Sequence, residues 1–366
     1  MSKKRIVVKI GSSSLTNECG EIDQRKLDEH VKAIAGLREA NHEVILVSSG
    51  AVAAGFPKIG YSSRPVTVKG KQAAAAVGQS LLIQTYIAKF KEFNIIPAQI
   101  LLTREDFASR ERYQNGFATV TELLDRGILP IINENDTVAI EELTFGDNDM
   151  LSALVSGFIH ADLLIMLTDI NGLYNGNPRT NPDAERYDYL EDITEEMLKE
   201  TDDRGSKVGT GGMKSKLQAA KTSLSLGVSV FIGQGRGKDK LLRILAGEGD
   251  GTYISNGSLQ PINTKKQWIA IHSETSGKLF IDQGAEEAIL YHGGSLLPAG
   301  VFKVEGRFNI GDVVEVYGLN GLLGKGEVSC SSEDVNRAIN RRNGISDKSI
   351  IPSVEVIHRN RWVNVK

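Results

Sequence analysis

Short aliphatic runs alternate, over roughly the first two-thirds of the chain, with stretches whose apolar positions recur every three or four residues. Ile6, Val7, Val8 and Ile10 form the first run, and Val44-Ile-Leu-Val47 the second; both suit strands buried on both faces. Between them Leu27, Val31, Ile34 and Leu37 predict a helix, so the opening is one βαβ unit. An alanine-rich helix is predicted over about 70–94, then a strand over Ile95 to Leu102 in which Pro97 marks an edge position or a strand start. A helix over about Gln114 to Arg126 leads into a strand at Ile128 to Ile132. Leu151, Leu154, Val155 and Phe158 give the next helix its apolar face, and Asp162 to Leu167 the next strand. A charged helix from about Thr194 precedes another with Met213, Leu217, Ala220 and Leu224 facing inward and Gly227 as C-cap. Ser229 to Gly233 and Lys238 to Ala246 add a strand and a short helix. Strands alternating with helices predict an α/β fold, a mostly parallel sheet sandwiched by helices with right-handed crossovers. Such sheets take their ligands outside the carboxyl ends of the strands.

From about Gln260 the pattern changes to short strands separated by Gly, Asn and Pro: Gly277 to Asp282, Ser295 to Val304, Asp312 to Tyr317, Gly324 to Val328 and Ile351 to Val356. These predict a small C-terminal β-barrel domain over 275–355, after a first domain over 1–258. The 366 residues and 40% apolar content suffice for such a pair of cores. A formal charge of −3 gives no reason to expect nucleic acid or membrane as the main partner. Cys19 and Cys330 are far apart and lack metal-ligand spacing, so neither a disulfide framework nor a zinc site is expected. Met1-Ser-Lys-Lys-Arg5 leads straight into the first strand, and no later run approaches the roughly 20 apolar residues of a membrane span; a cytoplasmic location is expected.

The candidate chemistry sits where strands end. Lys9, near the carboxyl end of the first strand, needs an anionic partner, and Gly11 with the serines after it lets backbone N–H groups approach a phosphate. No Walker A spacing follows, so a phosphate site must be assembled from separated loops. The second strand repeats the layout with Ser48-Ser-Gly-Ala51. Asn133-Glu-Asn-Asp136 and Gly146-Asp-Asn-Asp149 are acid-amide clusters at the same sheet edge, suited to an ammonium group or to cations; a solvated turn and a helix N-cap are the plainer alternatives. Gly209-Thr-Gly-Gly-Met-Lys-Ser-Lys216 puts Lys214 and Lys216 in a helix's first turn, where cations oppose the helix dipole unless an anion is shared among them.

In this order Lys9-Ile-Gly-Ser, Ser48-Ser-Gly-Ala, Asn133-Glu-Asn-Asp136, Phe145-Gly-Asp-Asn-Asp149, Thr168-Asp-Ile-Asn-Gly-Leu-Tyr174 and Gly209 to Lys216 closely resemble the glutamate 5-kinases of the amino-acid kinase superfamily. The C-terminal part resembles a PUA domain. The resemblance implies transfer of the γ-phosphoryl of ATP to the side-chain carboxylate of L-glutamate, the first step towards proline, with Mg2+ required and proline as inhibitor. It further implies that Lys9 and Lys216 flank the phosphoryl group, that Asp149 holds them, and that Gly11 and Gly50 supply backbone donors. Ser49, Asp136 and Asn148 match glutamate-binding positions, with Asn133 and Asp147 nearby; Thr168, Asp169, Thr210, Gly211, Gly212, Met213, Lys214, Ser215 and Lys216 match the nucleotide side. No protein ligand to magnesium is implied. A homo-oligomer, dimer or tetramer, and a glutamyl-phosphate reductase partner are further expectations. An N-acetylglutamate or aspartate kinase is the alternative within the class; a free-ammonium site at Asp136 speaks against the first, and the β-rich tail against the second. RNA binding by the PUA-like domain is not expected as the main function, because from residue 276 onward 11 Lys plus Arg balance 11 Asp plus Glu.

Overall fold

The computed structural model describes the chain except for residues 1, 18, 139–147, 177, 179–180, 182, 203–211, 258–267, 270–274, 343–354 and 365–366. It divides into two compact units, one of 1–106 with 114–261, the other of 107–113 with 262–366.

The first unit is built on β1 (Arg5–Ile10), α1 (Gln24–Glu39), β2 (Glu43–Ser48), α2 (Ala51–Gly55), α3 (Val68–Lys91), β3 (Pro97–Leu102), β4 (Leu129–Glu134), α4 (Asn148–Phe158) and β5 (Leu163–Leu167). It continues through β6 (Leu173–Tyr174), β7 (Arg186–Tyr187), β8 (Tyr189–Leu190), α5 (Glu195–Asp202), α6 (Met213–Ser225), β9 (Ser229–Gln234), α7 (Lys240–Leu245) and β10 (Asp250–Ile254). An eight-stranded sheet runs in the order β3-β4-β2-β1-β5-β9-β10-β8. The strands from β3 to β9 pair parallel, which brings the ends of β1, β2, β4, β5 and β9 to one edge. β3 is the outer strand, as its proline predicts, and β10 departs from the expected parallel pattern by running antiparallel to β9. The small hairpin of β6 and β7, and β8 at the far edge, lie where only a loop is expected.

The two-residue period of β1 decides which way its lysine faces. Ile6, Val8 and Ile10 enter a core with Leu27, Ile34 and Leu37 of α1 and Leu82, Tyr86 and Phe90 of α3. Val7 and Lys9 therefore face the other side of the sheet, the side on which α4 packs against β1 and against α6. Lys9 is thus aimed at the helices that carry Asp149 and Lys216.

In the second unit β11 (Thr275–Ile281), α8 (Gln283–Tyr291), β12 (Val301–Gly306), β13 (Val313–Gly318), β14 (Gly321–Val328), α9 (Ser332–Arg342) and β15 (Ile357–Asn364) form a five-stranded sheet, order β12-β11-β13-β14-β15, with its own core that includes Leu279, Val316, Ile357 and Trp362. The strand expected from Ser295 starts only at Val301, and most of the one expected at 351–356 lies outside the described residues. The last strand, β15, was not anticipated. Cys19 and Cys330 are both free thiols. Among the described residues no helix is long and apolar enough to cross a membrane.

Candidate active site

The turn after β2 is set by close helix packing. Gly50 adopts φ +104, a conformation that leaves little room for a side chain, and caps α2. A Cβ on Gly55 would stand 1.9 Å from the Ala74 carbonyl oxygen, and one on Gly78 would stand 1.8 Å from that of Ala51. α2 and α3 thus meet backbone to backbone, and the small residues that allow it fix where Ser49 and Gly50 sit. From α3 the buried Tyr86 hydroxyl reaches Ser48 Oγ at 2.8 Å, and Ser48 Oγ donates to the Ser49 carbonyl at 3.1 Å. Burial pushes the Tyr86 phenol well above its ordinary range, so it stays protonated.

The acid-amide residues meet at this turn. Asn148, at the start of α4, donates through Nδ2 to the Ser48 carbonyl at 2.7 Å, to Ser49 Oγ at 3.0 Å and to Asn133 Oδ1 at 2.7 Å. Asn133 Oδ1 also accepts from the Glu134 N–H at 2.9 Å, which orients that amide and turns its Nδ2 to Gln79 Oε1 at 2.8 Å. Asp136 lies half-buried beyond the end of β4; burial pushes its carboxyl up to about 6, against the opposing influence of Arg64. Asp147 lies outside the described residues. Gln79, Tyr86 and Ser48 are absent from the expected site. A lone glutamine beside a glycine in an apolar helix is a weak sequence signal, Tyr86 reads as core, and Ser48 stands in the Ser48-Ser-Gly-Ala51 motif without a role of its own.

Beside this cluster stands an ion triad. Asp149, fully buried, faces Lys9 Nζ at 2.5 Å through Oδ1 and Lys216 Nζ at 2.9 Å through Oδ2; Ser215 Oγ donates to Oδ2 at 2.9 Å. Lys9 is 4% exposed and Lys216 8%. One carboxylate against two ammonium groups leaves a surplus positive charge in a poorly hydrated place. That is costly for folding alone and favourable for an arriving anion. Gly11 borders the triad, since a Cβ there would lie 3.3 Å from Lys9 Nζ. Backbone carbonyls from Gly11 to Thr16 all accept hydrogen bonds, from Ser14, Leu15, Thr16 and Asp23 within the loop and from Lys26 and His30 of α1. The N–H groups of Ser12 and Ser13 have no protein partner among the described residues, whereas that of Gly11 continues the ladder to Leu167. Two consecutive free donors next to an ammonium group make an anion nest.

Thr168 and Asp169 follow β5, next to β1. Thr168 is buried and donates to Asp169 Oδ1 at 3.1 Å, while Gln234 at the end of β9 donates to the Asp169 carbonyl oxygen. Gly212 caps α6; Met213 and Ser215 are half-buried and Lys214 exposed. Thr210 and Gly211 lie outside the described residues. Among the described residues no group of three or more His, Cys, Asp or Glu side chains could hold a metal ion. Both oxygens of Asp149 are already engaged, so the triad is not a cation site.

The model of the amino acid kinase family matches residues 4–234, and that of the PUA domain residues 277–349. Glutamate 5-kinase 1 of Bacillus licheniformis is 63% identical over 366 residues, 100% of both chains. Glutamate 5-kinase 1 of Bacillus subtilis is 61% identical over the same span, and glutamate 5-kinase of Oceanobacillus iheyensis 61% identical over 365 residues, 100% of this chain and 98% of that one. With that identity along its whole length, joined to the lysine–carboxylate–lysine triad at the strand ends, the chain belongs to the amino acid kinase family and, within it, to the glutamate 5-kinases.

Proposed function

We propose that this chain transfers the γ-phosphoryl group of ATP, supplied as its magnesium complex, to the side-chain carboxylate of L-glutamate, giving glutamyl 5-phosphate and ADP. The observation that carries the reading is the buried surplus charge of Lys9, Asp149 and Lys216, set between the nest at Ser12–Ser13 and the amide cluster at Ser49. A glutamate side chain is ionised at neutral pH, so the nucleophile needs no general base. The difficulty is the approach of a carboxylate to a polyphosphate and the charge spread over the equatorial oxygens in flight. The two ammonium groups neutralise that charge, and Asp149 keeps them apart and aimed. Ser49 and the Asn148 amide serve the α-carboxylate and α-ammonium end, with Asp136 as counter-ion to the ammonium. Thr168, Asp169 and residues 210–216 serve the nucleotide. Magnesium rides on the phosphate oxygens and water.

An acyl phosphate is an electrophile that hydroxylamine traps as a hydroxamate. The expected result is glutamate-dependent ADP release with matching hydroxamate, and little of either with L-aspartate or N-acetyl-L-glutamate. Faster turnover of the acetylated substrate overturns the assignment of an ammonium site. The kinase domain is assigned to 1–258 and the PUA-like domain to 275–355, a division supported by the family-model matches. Proline shares the α-carboxylate and cationic nitrogen of glutamate and is placed at Ser49, Asp136 and Asn148 as an inhibitor. Asp136→Ala should then weaken glutamate and proline together; full inhibition by proline where glutamate affinity has collapsed means separate sites.

A further inference from the structure

The nest at Ser12–Ser13 is held from behind by two side chains of α1 one turn apart, Lys26 and His30. Lys26 Nζ donates to the Ser13 carbonyl at 3.2 Å and to the Thr16 carbonyl at 2.6 Å. His30 Nε2 stands 3.0 Å from the Ser14 carbonyl. A carbonyl accepts only from the protonated ring nitrogen, so the contact fixes the Nε2–H tautomer, and Nδ1 is buried with no hydrogen-bond partner among the described residues. Burial, with a contribution from Lys240, pushes the imidazole down to about 4, so His30 is neutral at physiological pH. A buried ring atom without a partner is a cost, and this ring recovers it only through the single bond to the loop.

We infer that Lys26 and His30 are positioning residues for phosphate binding: by holding the carbonyls of Ser13, Ser14 and Thr16 from behind they fix the course of the loop, and with it the direction in which the Ser12 and Ser13 N–H groups face the nucleotide's phosphates. The carbonyls of Ser13, Ser14 and Thr16, which accept nothing from within the loop, are thereby held from α1. The inference rests on the proposed kinase activity, which puts the polyphosphate at this loop.

The test compares the full-length chain with Lys26→Met, His30→Leu and His30→Gln. Lys26 is exposed, so its substitution leaves the core intact, and methionine keeps much of the stem. Steady-state kinetics with each substrate varied is paired with calorimetric binding of the non-hydrolysable analogue AMP-PNP with magnesium. Loss of charge-assisted or buried bonds to the loop should raise the ATP KM and the analogue's Kd about tenfold in Lys26→Met and His30→Leu, with the glutamate KM little changed. His30→Gln, which can again present an N–H, should recover most of the loss. Lys32→Met, which removes a charge from the exposed face of the same helix without touching the loop, controls for lost electrostatic attraction. An unchanged nucleotide Kd in both Lys26→Met and His30→Leu overturns the inference, as does an equal rise in both KM values. Failure of the wild-type chain to form ADP with glutamate overturns the kinase reading instead, while analogue binding still reports on the loop.

Discussion

At the residue scale the site is an imbalance of charge, and two predictions follow from where the charges sit. Lys9→Ala or Lys216→Ala each cancels the surplus positive charge of the triad, which acts most on the transition state; kcat should fall about 100-fold or more with a smaller effect on the glutamate KM. Arginine should rescue poorly at either position, because a planar fork cannot replace a compact ammonium held at 2.5 or 2.9 Å from one carboxylate. Near-normal turnover in either alanine variant removes that lysine from the mechanism. Asp136 gives the second prediction. Burial raises its carboxyl to about 6 in the free protein, and an ammonium group beside it lowers the value in the complex. The complex then holds fewer protons than the free protein, so binding strengthens as pH rises. Glutamate affinity is fully present above pH 6 and is lost as pH falls through 6 toward the bound-state value. The glutamate KM measured between about pH 5 and 8 should show this bend, and Asp136→Asn should abolish it. A bend that persists in the asparagine variant belongs to another group.

At the scale of elements, the substrate turn is only as well placed as α2 is against α3. Adding a methyl group at Gly78 drives a Cβ into the Ala51 carbonyl at 1.8 Å, and backbone cannot yield there as a flexible side chain could. Gly78→Ala should cost on the order of 1–3 kcal/mol or more in urea unfolding and raise the glutamate KM, because relief requires moving the helix that opens at Gly50. A variant with normal stability and KM means that the two helices separate freely. The same elements show what can be read from a sequence. β1, β2 and β4 were legible as aliphatic runs buried on both faces, α1 by its periodic apolar face and α3 by its alanine-rich stretch, and Lys9, Asp149 and Lys216 because they stand at strand and helix ends. β8 has two residues, Tyr189 and Leu190, and exists through pairing with β10. β10 itself carries Gly251, where a Cβ would meet the Phe231 ring at 2.5 Å; a strand shaped by a neighbour's ring shows no alternation of its own. Gln79 escaped notice for a similar reason: its bond comes from Asn133, 54 residues away.

At the scale of the whole molecule, every residue assigned to catalysis or binding precedes Lys221 in sequence and belongs to the first unit, so a chain ending near residue 256 should keep its kinase activity. The second unit, however, includes 107–113, which follows β3 and takes in the first turn of the helix Arg110–Asp125. In that segment Phe107 and Tyr113 are 2% and 3% exposed and meet edge to face with centroids 6.5 Å apart. Arg110 is 3.0 Å from Glu327, a carboxylate 1% exposed that also takes Arg361 at 2.9 Å. Truncation removes Glu327 and the rest of 262–366, leaving the segment without the unit to which it belongs. The truncated chain is therefore expected to phosphorylate glutamate at close to the full-length rate and to melt several degrees lower, with a greater tendency to aggregate as apolar rings reach solvent. Arg110→Gln in the full-length chain should show the electrostatic part of that loss: Glu327 loses one of its guanidinium partners while Arg361 stays, and a buried carboxylate deprived of one partner is costly. Differential scanning calorimetry with a parallel ADP-release assay decides the matter. A truncated chain that melts with the full-length protein shows that 107–113 takes no stability from the C-terminal unit, and one that is folded but inactive shows that the site needs more than the residues around Asp149.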